Sequence, residues 1–379
     1  MMWRPCLLGL TITGLGWLLI GCTDLAYYQQ AVAGQWRLLQ ARQPVVEMLA
    51  DPALAPELRQ RLETAQQLRT FASVELALPD NGSYRSYADL QRPWVVKNLF
   101  AAPELSLEPR RWCFLWIGCL NYRGYFDVDA AEQLAGELQA AGDDVYLADI
   151  PAYSTLGWFD DPLLNTFIQW PTARQAELLF HELAHQRLYL ADDSAFNEAF
   201  ATVVGRLGTE RWLAQHATEG ERQNYEADLR RREQFLQLTA ETRERLMAVY
   251  TGSGNEADQR VDKQRILAEL RDRYQALKQS WGGYAGYDRW FAQDLNNAKL
   301  AGVSTYYRLA PAFLALFAQE GGNFAAFYRA AERIGQLPPR EREARLQALL
   351  IPILPLAKPP DRLPLPGDRP AAPAQCPPG

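Results

Sequence analysis

The strongest constraint on the fold is a pair of helical patterns joined by a short polar turn. The stretch "TARQAELLFHELAHQRLYL" starts at Thr172, a plausible N-cap, and contains no Gly or Pro, while its leucines recur at helical spacing. After "ADD", a second apolar pattern begins at Ser194, a residue type that favours the N-cap position. We therefore expect two consecutive helices connected by a tight turn, around which the rest of the chain must pack.

The first of these helices carries two of the three histidines in the chain. His181 and His185 are four residues apart, so a helix places both imidazoles on one face. Such a pair can supply two nitrogen ligands to Zn²⁺ at about 2.0–2.1 Å. Glu182 projects towards the open side of that metal, where a carboxylate can take a proton from zinc-bound water. The spacing predicts a zinc hydrolase centre with Glu182 as general base.

A catalytic zinc ion usually takes a third protein ligand, for which Glu198 on the second helix is the candidate. Glu198 lies among apolar residues such as Phe196 and Phe200. A carboxylate in these surroundings is costly unless it is paired or bound to a metal. We therefore predict one Zn²⁺ held by His181, His185 and Glu198, with the fourth position open to water. The alternative is an amphipathic helix that carries two histidines without a metal.

The same residues carry a resemblance to known families. The stretch "HELAHQRLY" followed by "NEAFA" resembles the gluzincin arrangement of thermolysin-like peptidases and zinc aminopeptidases. Together with "YYQQAVAGQWRLL", "NYRGYF", "FNEAFATVVG" and "GG" before "FY", it makes most of 22–350 similar to a family of bacterial lipoproteins known as "putative aminopeptidases". The resemblance implies a gluzincin-like core, a peptide substrate, His181, His185 and Glu198 as ligands, and Glu182 as general base.

The chain departs from these families at two points. Thermolysin-like enzymes have an aspartate four residues after the third ligand, where this chain has Thr202. Asp192, Asp193 and Asn197 are the candidates to orient the histidines instead. The GxMEN stretch, whose glutamate holds the substrate amine in zinc aminopeptidases, is absent upstream of His181. Four aspartates could meet that amine: Asp127, Asp129, Asp160 and Asp161.

Hydrolysis also needs a donor for the developing oxyanion. Gluzincins often use a tyrosine or histidine from downstream, and Tyr307 in "VSTYYRLAP" is our first candidate, followed by Tyr306 and His216. The alternative for either tyrosine is a core position with a satisfied hydroxyl. Arg308 and Asn297 could line the same cleft. The stretch "CLNYRGYFDVD" could form a sheet edge that holds a peptide, or an ordinary core strand.

Residues 1–21 have the order of a secretory signal peptide, with Arg4 followed by an apolar run that begins at Cys6. The stretch "LIGC" at its end resembles the lipobox of bacterial lipoproteins, which implies cleavage before Cys22 and diacylglycerol on its sulfur. We expect a lipid-anchored protein that faces the periplasm, and Thr23, in place of a retention aspartate, favours the outer membrane. The alternatives are ordinary cleavage nearby, or an uncleaved membrane helix, for which the apolar run is short.

Export would place the remaining cysteines in an oxidising compartment. On one straight strand, Cys113 and Cys119 would lie about 20 Å apart, too far for a disulfide bond. A bend at Gly118 would bring them together, so a disulfide and two free thiols both stay open. Their spacing does not fit a zinc knuckle.

The remaining patterns predict an α+β fold that is predominantly helical, with a small sheet beside the active-site helix. Helical patterns cover 25–75, strand patterns surround a short helix in 92–150, and two long charged helices joined by "TGSG" are expected at about 209–282. We divide the chain into a signal peptide (1–21), an N-terminal helical region (22–90), a metallopeptidase domain that includes the charged hairpin (91–350) and a Pro-rich disordered or extended tail (351–379).

The net charge of -6 argues against a nucleic-acid partner. The residues predict a membrane-anchored zinc metallopeptidase, and the resemblance indicates an aminopeptidase. Two alternatives remain from the residues themselves. One is an envelope lipoprotein that zinc stabilises but that has no activity. The other is a zinc amidase or endopeptidase that cleaves cell-wall peptides.

Overall fold

The computed structural model describes residues 25–114, 118–304 and 309–350. Within these ranges the chain is mostly helical with small sheets, which confirms the predicted α+β, predominantly helical class. No helix in the described ranges is both long and apolar enough to cross a membrane. The predicted signal peptide and lipobox with Cys22, the residues Tyr306, Tyr307 and Arg308, and the Pro-rich tail lie outside the described residues.

The N-terminal part is helical, as its apolar spacing predicts. In chain order its elements are α1 (25–40), β1 (Gln43–Pro44), α2 (Val45–Ala50), α3 (Pro56–Val74) and β2 (Ser86–Ala88). Arg69 of α3 is fully buried, and its guanidinium donates to the carbonyls of Pro79, Asn81 and Ser83. This one side chain therefore shapes the loop between α3 and β2.

The strand-rich segment forms a short antiparallel sheet with a disulfide-linked hairpin beside it. Its elements are β3 (Val96–Pro103), β4 (Trp112–Phe114), β5 (Gly118–Leu120), β6 (Arg123–Tyr125), α4 (Val128–Ala140), β7 (Asp143–Ile150) and β8 (Leu163–Leu164). Strand β3 is central, with β6 and β7 antiparallel on either side, while β8 pairs with β2 in a separate sheet. The alanines Ala131 and Ala135 of α4 pack on Leu99 and Val145 of the sheet.

Strands β4 and β5 pair with each other, and Cys113 lies directly opposite Cys119. The two cysteines are joined by a disulfide bond. Gly118 has a φ of +83°, which a side chain would disfavour, at the start of β5. The chain therefore bends where the sequence offered a bend, and the straight-strand alternative does not apply.

The second half is a helical assembly in which α5, α6, α11 and α12 share an aromatic core. Its elements are α5 (Thr172–Arg187), α6 (Ser194–His216), α7 (Glu219–Thr251), α8 (Glu256–Ser280), α9 (Asp288–Ala292), α10 (Asn297–Ser304), α11 (Ala310–Gln319), α12 (Phe324–Gly335) and α13 (Pro339–Ala348). Phe200 of α6 contacts Phe313 of α11 and Phe327 of α12, and Phe180 of α5 contacts Phe71 of α3. Helices α5 and α6 thus lie between the N-terminal and C-terminal helices.

The charged helices α7 and α8 form the predicted hairpin, but they are more than a solvated pair. Their inner faces bury Leu246, Ile266 and Leu270 in a second apolar cluster. Lys263 is buried and donates to the carbonyl of Glu104 at 2.9 Å and to the carboxylate of Asp144 at 2.7 Å. The hairpin is therefore fixed to the end of the sheet by a buried ion pair.

Candidate metal centre

Helices α5 and α6 approach each other closely because α6 has glycine at the contact points. A Cβ atom on Gly205 would lie 2.7 Å from the carbonyl oxygen of Glu177 and 3.3 Å from Cβ of His181. A Cβ atom on Gly208 would lie 2.8 Å from the ring of Phe180. These two glycines, which the sequence analysis did not single out, bring the backbone of α6 against the helix that carries the histidines.

The turn between the helices is held by side chains of its own acidic and amide residues. Asn197 donates to the carbonyl of Leu190 at 2.7 Å and accepts from its amide at 2.8 Å. Asp193 accepts from the amide of Phe196, so Asp193 is the N-cap residue of α6, and the expected cap at Ser194 is wrong by one position. These side chains bond to backbone, and the hydrogen bonds of the described residues do not connect them to the histidines.

The three predicted ligands converge across the α5–α6 contact. The two Nε2 atoms of His181 and His185 are 3.1 Å apart, and Oε2 of Glu198 lies 3.4 Å from the first and 3.7 Å from the second. Zinc–ligand bonds of 2.0–2.1 Å at tetrahedral angles put ligand atoms about 3.3 Å apart. The three atoms are therefore already spaced like one face of a tetrahedral zinc site.

The polar atoms at the centre of this group also fit a cation. Oε2 of Glu198 is buried and has no hydrogen-bond partner in the described part of the chain. Leaving such atoms without a partner costs free energy, which a bound cation would recover for the carboxylate. Two imidazole nitrogens and one carboxylate are also a ligand set that catalytic zinc sites use. The residues present therefore fit Zn²⁺.

In the metal-free protein, the same three side chains favour a protonated histidine beside an ionised glutamate. Burial would raise the pKa of Glu198, but His185 and His181 outweigh it and hold this pKa at about 2. Burial lowers the pKa of His181, but the adjacent carboxylate of Glu198, together with the charge of Glu182, raises it overall. The ligand cluster thus stabilises positive charge, whether the charge is a proton or a metal ion.

Glu182 lies beside the ligands, and its carboxylate is available for proton transfer. The residue is 8% exposed, and its carboxylate makes no hydrogen bond with the described residues. Burial raises the pKa of Glu182 above its ordinary value, while the neighbouring histidines oppose that shift. A carboxyl group whose pKa moves towards neutrality suits proton transfer.

A tyrosine that sequence reasoning did not single out also lies near this centre. The amide of Cys119 donates to Asp192 at 2.7 Å, which ties the disulfide hairpin to the α5–α6 turn. Tyr122 follows three residues later in the turn before β6 and packs on Phe100. Burial raises the pKa of Tyr122, and the charges of Glu198 and Glu182 raise it further. The segment "CLNYRGYFDVD" is therefore next to the metal centre, where it was expected as an edge for substrate.

Two other predicted cleft residues lie elsewhere. His216 stacks on Trp212 at the C-terminal end of α6, and eighteen helical residues separate it from Glu198 by about 27 Å. Asn297 is fully buried, and its side chain donates to the carbonyls of Pro103 and Glu104. His216 therefore packs between α6 and α3, and Asn297 joins α10 to the end of β3, so the contacts of both side chains are structural.

The four candidate amine-binding aspartates have different environments. Asp127 caps α4 and Asp129 lies in the first turn of that helix, whereas the carbonyl of Asp160 accepts from Arg42. Asp161 is buried and accepts from the amide and the hydroxyl of Thr155. Burial raises the pKa of Asp161 to about 7, and the charge of Glu182 contributes. Asp161 is therefore close enough to the proposed base to sense its charge.

Comparisons with known proteins agree with the part of the resemblance that concerns putative aminopeptidases. No curated protein and no solved structure is significantly similar to the chain. One family model, described as "Putative aminopeptidase", matches residues 26–346, which include His181, Glu182, His185 and Glu198. Because this match covers most of the sequence, the chain belongs to that family.

Proposed function

We propose that this chain is a zinc metallopeptidase of the aminopeptidase type with a gluzincin-like catalytic core. The observation that carries the proposal is the spacing of 3.1–3.7 Å among Nε2 of His181, Nε2 of His185 and Oε2 of Glu198. The family description names an aminopeptidase, which supports the hydrolysis of peptide bonds as the reaction. The helix–turn–helix order of the ligands supports the thermolysin-like arrangement.

In this mechanism three side chains bind the metal ion and a fourth transfers protons. His181, His185 and Glu198 would hold Zn²⁺, which would supply the Lewis acidity that activates water and polarises the scissile carbonyl. Glu182 accepts the proton of the attacking water and later delivers it to the leaving amine. Burial raises the pKa of Glu182, and a raised pKa favours a carboxyl group that can both accept a proton and return it.

We assign the oxyanion donor to Tyr122. Its hydroxyl makes no hydrogen bond with the described residues, and its raised pKa keeps the phenol protonated and able to donate. The tie between Cys119 and Asp192 holds the segment of Tyr122 at the α5–α6 turn. Tyr307, the first candidate from the sequence, remains the alternative donor.

The proposal includes attachment to the cell envelope. Its support is the apolar leader that begins at Cys6 and the "LIGC" stretch that ends at Cys22. A lipid-modified Cys22 would hold the catalytic part on the periplasmic side of a membrane, where it would meet exported peptides. The outer membrane remains our proposed location because of Thr23.

The first test measures zinc content and peptide hydrolysis in the purified protein. Glu182→Gln should keep its zinc and lose about 10²- to 10⁴-fold in kcat, because only the proton acceptor is removed. Glu63→Gln, an exposed substitution on α3, is the matched control and should retain full activity. Full activity in Glu182→Gln would refute the assigned base.

The same assay distinguishes the types of peptidase. Peptides with a free N-terminus should be hydrolysed, and the same peptides with an acetylated N-terminus should not. Cleavage of both would indicate an endopeptidase, and a protein that binds zinc without hydrolysing either would favour a structural role for the metal.

The second test concerns Tyr122. Tyr122→Phe should lower kcat by about 10²- to 10³-fold with a small change in KM, because the donor acts on the transition state. Tyr146→Phe is the control, since Tyr146 packs on the same Phe100 ring but senses Asp149 rather than the metal-centre glutamates. A normal kcat in Tyr122→Phe, with a loss in Tyr307→Phe, would give the role to Tyr307.

A further inference from the structure

Helix α1 carries three large apolar residues on the side that faces away from the protein, in addition to those on its buried side. Leu25, Val32 and Trp36 are 69%, 69% and 61% exposed, respectively. Their spacing of seven and then four residues places them in one line along the helix. Apolar residues usually line the buried side of a surface helix, so this outer line calls for a different contact.

The opposite side of α1 is already occupied by the fold. A Cβ atom on Gly34 would lie 2.1 Å from the ring of Phe126, and Leu38 is only 4% exposed. Gln30 accepts from the amide of Phe126 at 2.9 Å. The helix is therefore fixed in rotation, and it cannot turn Val32 and Trp36 inwards.

The apolar line begins three residues after Cys22. An apolar leader precedes it in the sequence. In the proposed function, this leader is removed and Cys22 carries the lipid. An anchor at Cys22 would hold the first turn of α1 within about 10 Å of the lipid, since three extended residues span no more than that. Tryptophan, leucine and valine on one helix face suit the boundary between lipid head groups and acyl chains.

We propose that the outer face of α1, formed by Leu25, Val32 and Trp36, lies in the surface of a phospholipid membrane. This inference rests on the lipid anchor in the proposed function. It goes beyond that anchor because a lipidated cysteine alone leaves the protein free to rotate above the membrane, whereas a helix face in the lipid fixes its orientation.

The orientation would matter for the metal centre. Arg42, just after α1, donates to the carbonyl of Asp160 at 2.8 Å and so holds the loop that carries the exposed Trp158. The same loop reaches α5, because a Cβ atom on Gly157 would lie 3.9 Å from the side chain of Gln186, the residue after His185. If α1 is bound to the membrane, these contacts therefore fix the orientation of the metal centre relative to the membrane surface.

The test compares two valines that are equally exposed on helices. Val32 is 69% exposed on α1, and Val261 is 70% exposed on α8, in the charged hairpin. Each is replaced by cysteine in the full chain with Cys376→Ser, and a polarity-sensitive fluorophore is attached. The protein is reconstituted into phosphatidylethanolamine and phosphatidylglycerol vesicles that contain a lipid with a spin-labelled acyl chain, which quenches only fluorophores in contact with lipid.

The fluorophore at position 32 should shift its emission to the blue and be quenched several-fold more strongly than the fluorophore at position 261. Equal quenching at both positions, in protein that sediments with the vesicles, would overturn the inference and leave the anchor intact. A blue shift at position 32 without lipid quenching would also overturn it, because a protein surface such as a second copy would then cover the helix. Protein that fails to sediment with vesicles would overturn the anchor and the inference together.

Discussion

Replacing Gly205 by alanine adds one methyl group at the closest contact between α5 and α6. The new Cβ would lie 2.7 Å from the carbonyl oxygen of Glu177, about 0.7 Å short of ordinary van der Waals contact. Since the obstacle is backbone, a side-chain rotation cannot relieve it, and the helices must separate. Gly205 lies two turns after Glu198 on the same side of α6, so the separation moves Glu198 away from the histidines.

Two magnitudes follow from that displacement. Alanine stabilises a helix interior by about 0.5–1 kcal/mol relative to glycine, whereas overpacking costs about 1–3 kcal/mol, so the metal-free protein should lose up to about 2 kcal/mol. Zinc ligation tolerates deviations of only about 0.2 Å. We therefore expect zinc affinity to fall about 10- to 100-fold, as it does when support for a ligand is lost.

The assay is urea unfolding with and without a fixed concentration of free zinc. The stabilisation that zinc gives to wild-type protein should decrease by about 1.4–2.7 kcal/mol in Gly205→Ala, because binding to the native state adds stability according to its Kd. Gly136→Ala is the matched control, since Gly136 is an exposed residue of α4 with nothing within 4 Å of the added Cβ. The reasoning is refuted if both variants keep the full zinc stabilisation.

Two shorter predictions concern the disulfide hairpin and a buried carboxyl. The variant with both Cys113→Ser and Cys119→Ser should lose about 2 kcal/mol of unfolding free energy in urea, because the bond closes a short loop with a sequence separation of six; reductant should have the same effect on wild-type protein. Burial raises the pKa of Asp161 from 3.8 to about 7, so the folded state keeps a proton that the unfolded state releases. Metal-free protein should therefore lose about 4 kcal/mol as the pH rises from about 4 to about 7. Asp161→Asn should reduce the pH dependence of the unfolding free energy by about this amount across the range, and an unchanged pH dependence would exclude Asp161 as a source.

The parts of the molecule that sequence reasoning found are those determined by residues close together in the chain. The two site helices begin at Thr172 and Ser194, one residue before the starts that the predicted caps at these positions imply, because helical periodicity and breaker-free stretches are local signals. The hairpin of α7 and α8 likewise turns at "TGSG". The position of His181 and His185 one helical turn apart could likewise be predicted from their spacing in the sequence.

The features that sequence reasoning missed depend on contacts between segments that are distant in the chain. Gly205 has no local reason to be glycine, and its role is visible only when Glu177 of the neighbouring helix lies against it. Tyr122 is 76 residues from Glu198 in sequence, and it reaches the metal centre through the bond between Cys119 and Asp192. Both features arise from packing, which periodicity and spacing do not encode.

The acidic turn between α5 and α6 explains why a ligand set spread over two helices can be precise. Asp192 holds the disulfide hairpin through Cys119, Asp193 holds α13 through Arg342 at 2.6 Å, and Asn197 closes the turn onto Leu190. Sequence reasoning assigned these three residues to the metal through the histidines. They act instead on the backbone that sets where Glu198 stands relative to α5. We therefore expect the loss of any of these side chains to displace Glu198 rather than to alter the basicity of the histidines, and to lower the affinity of the proposed site for a metal ion.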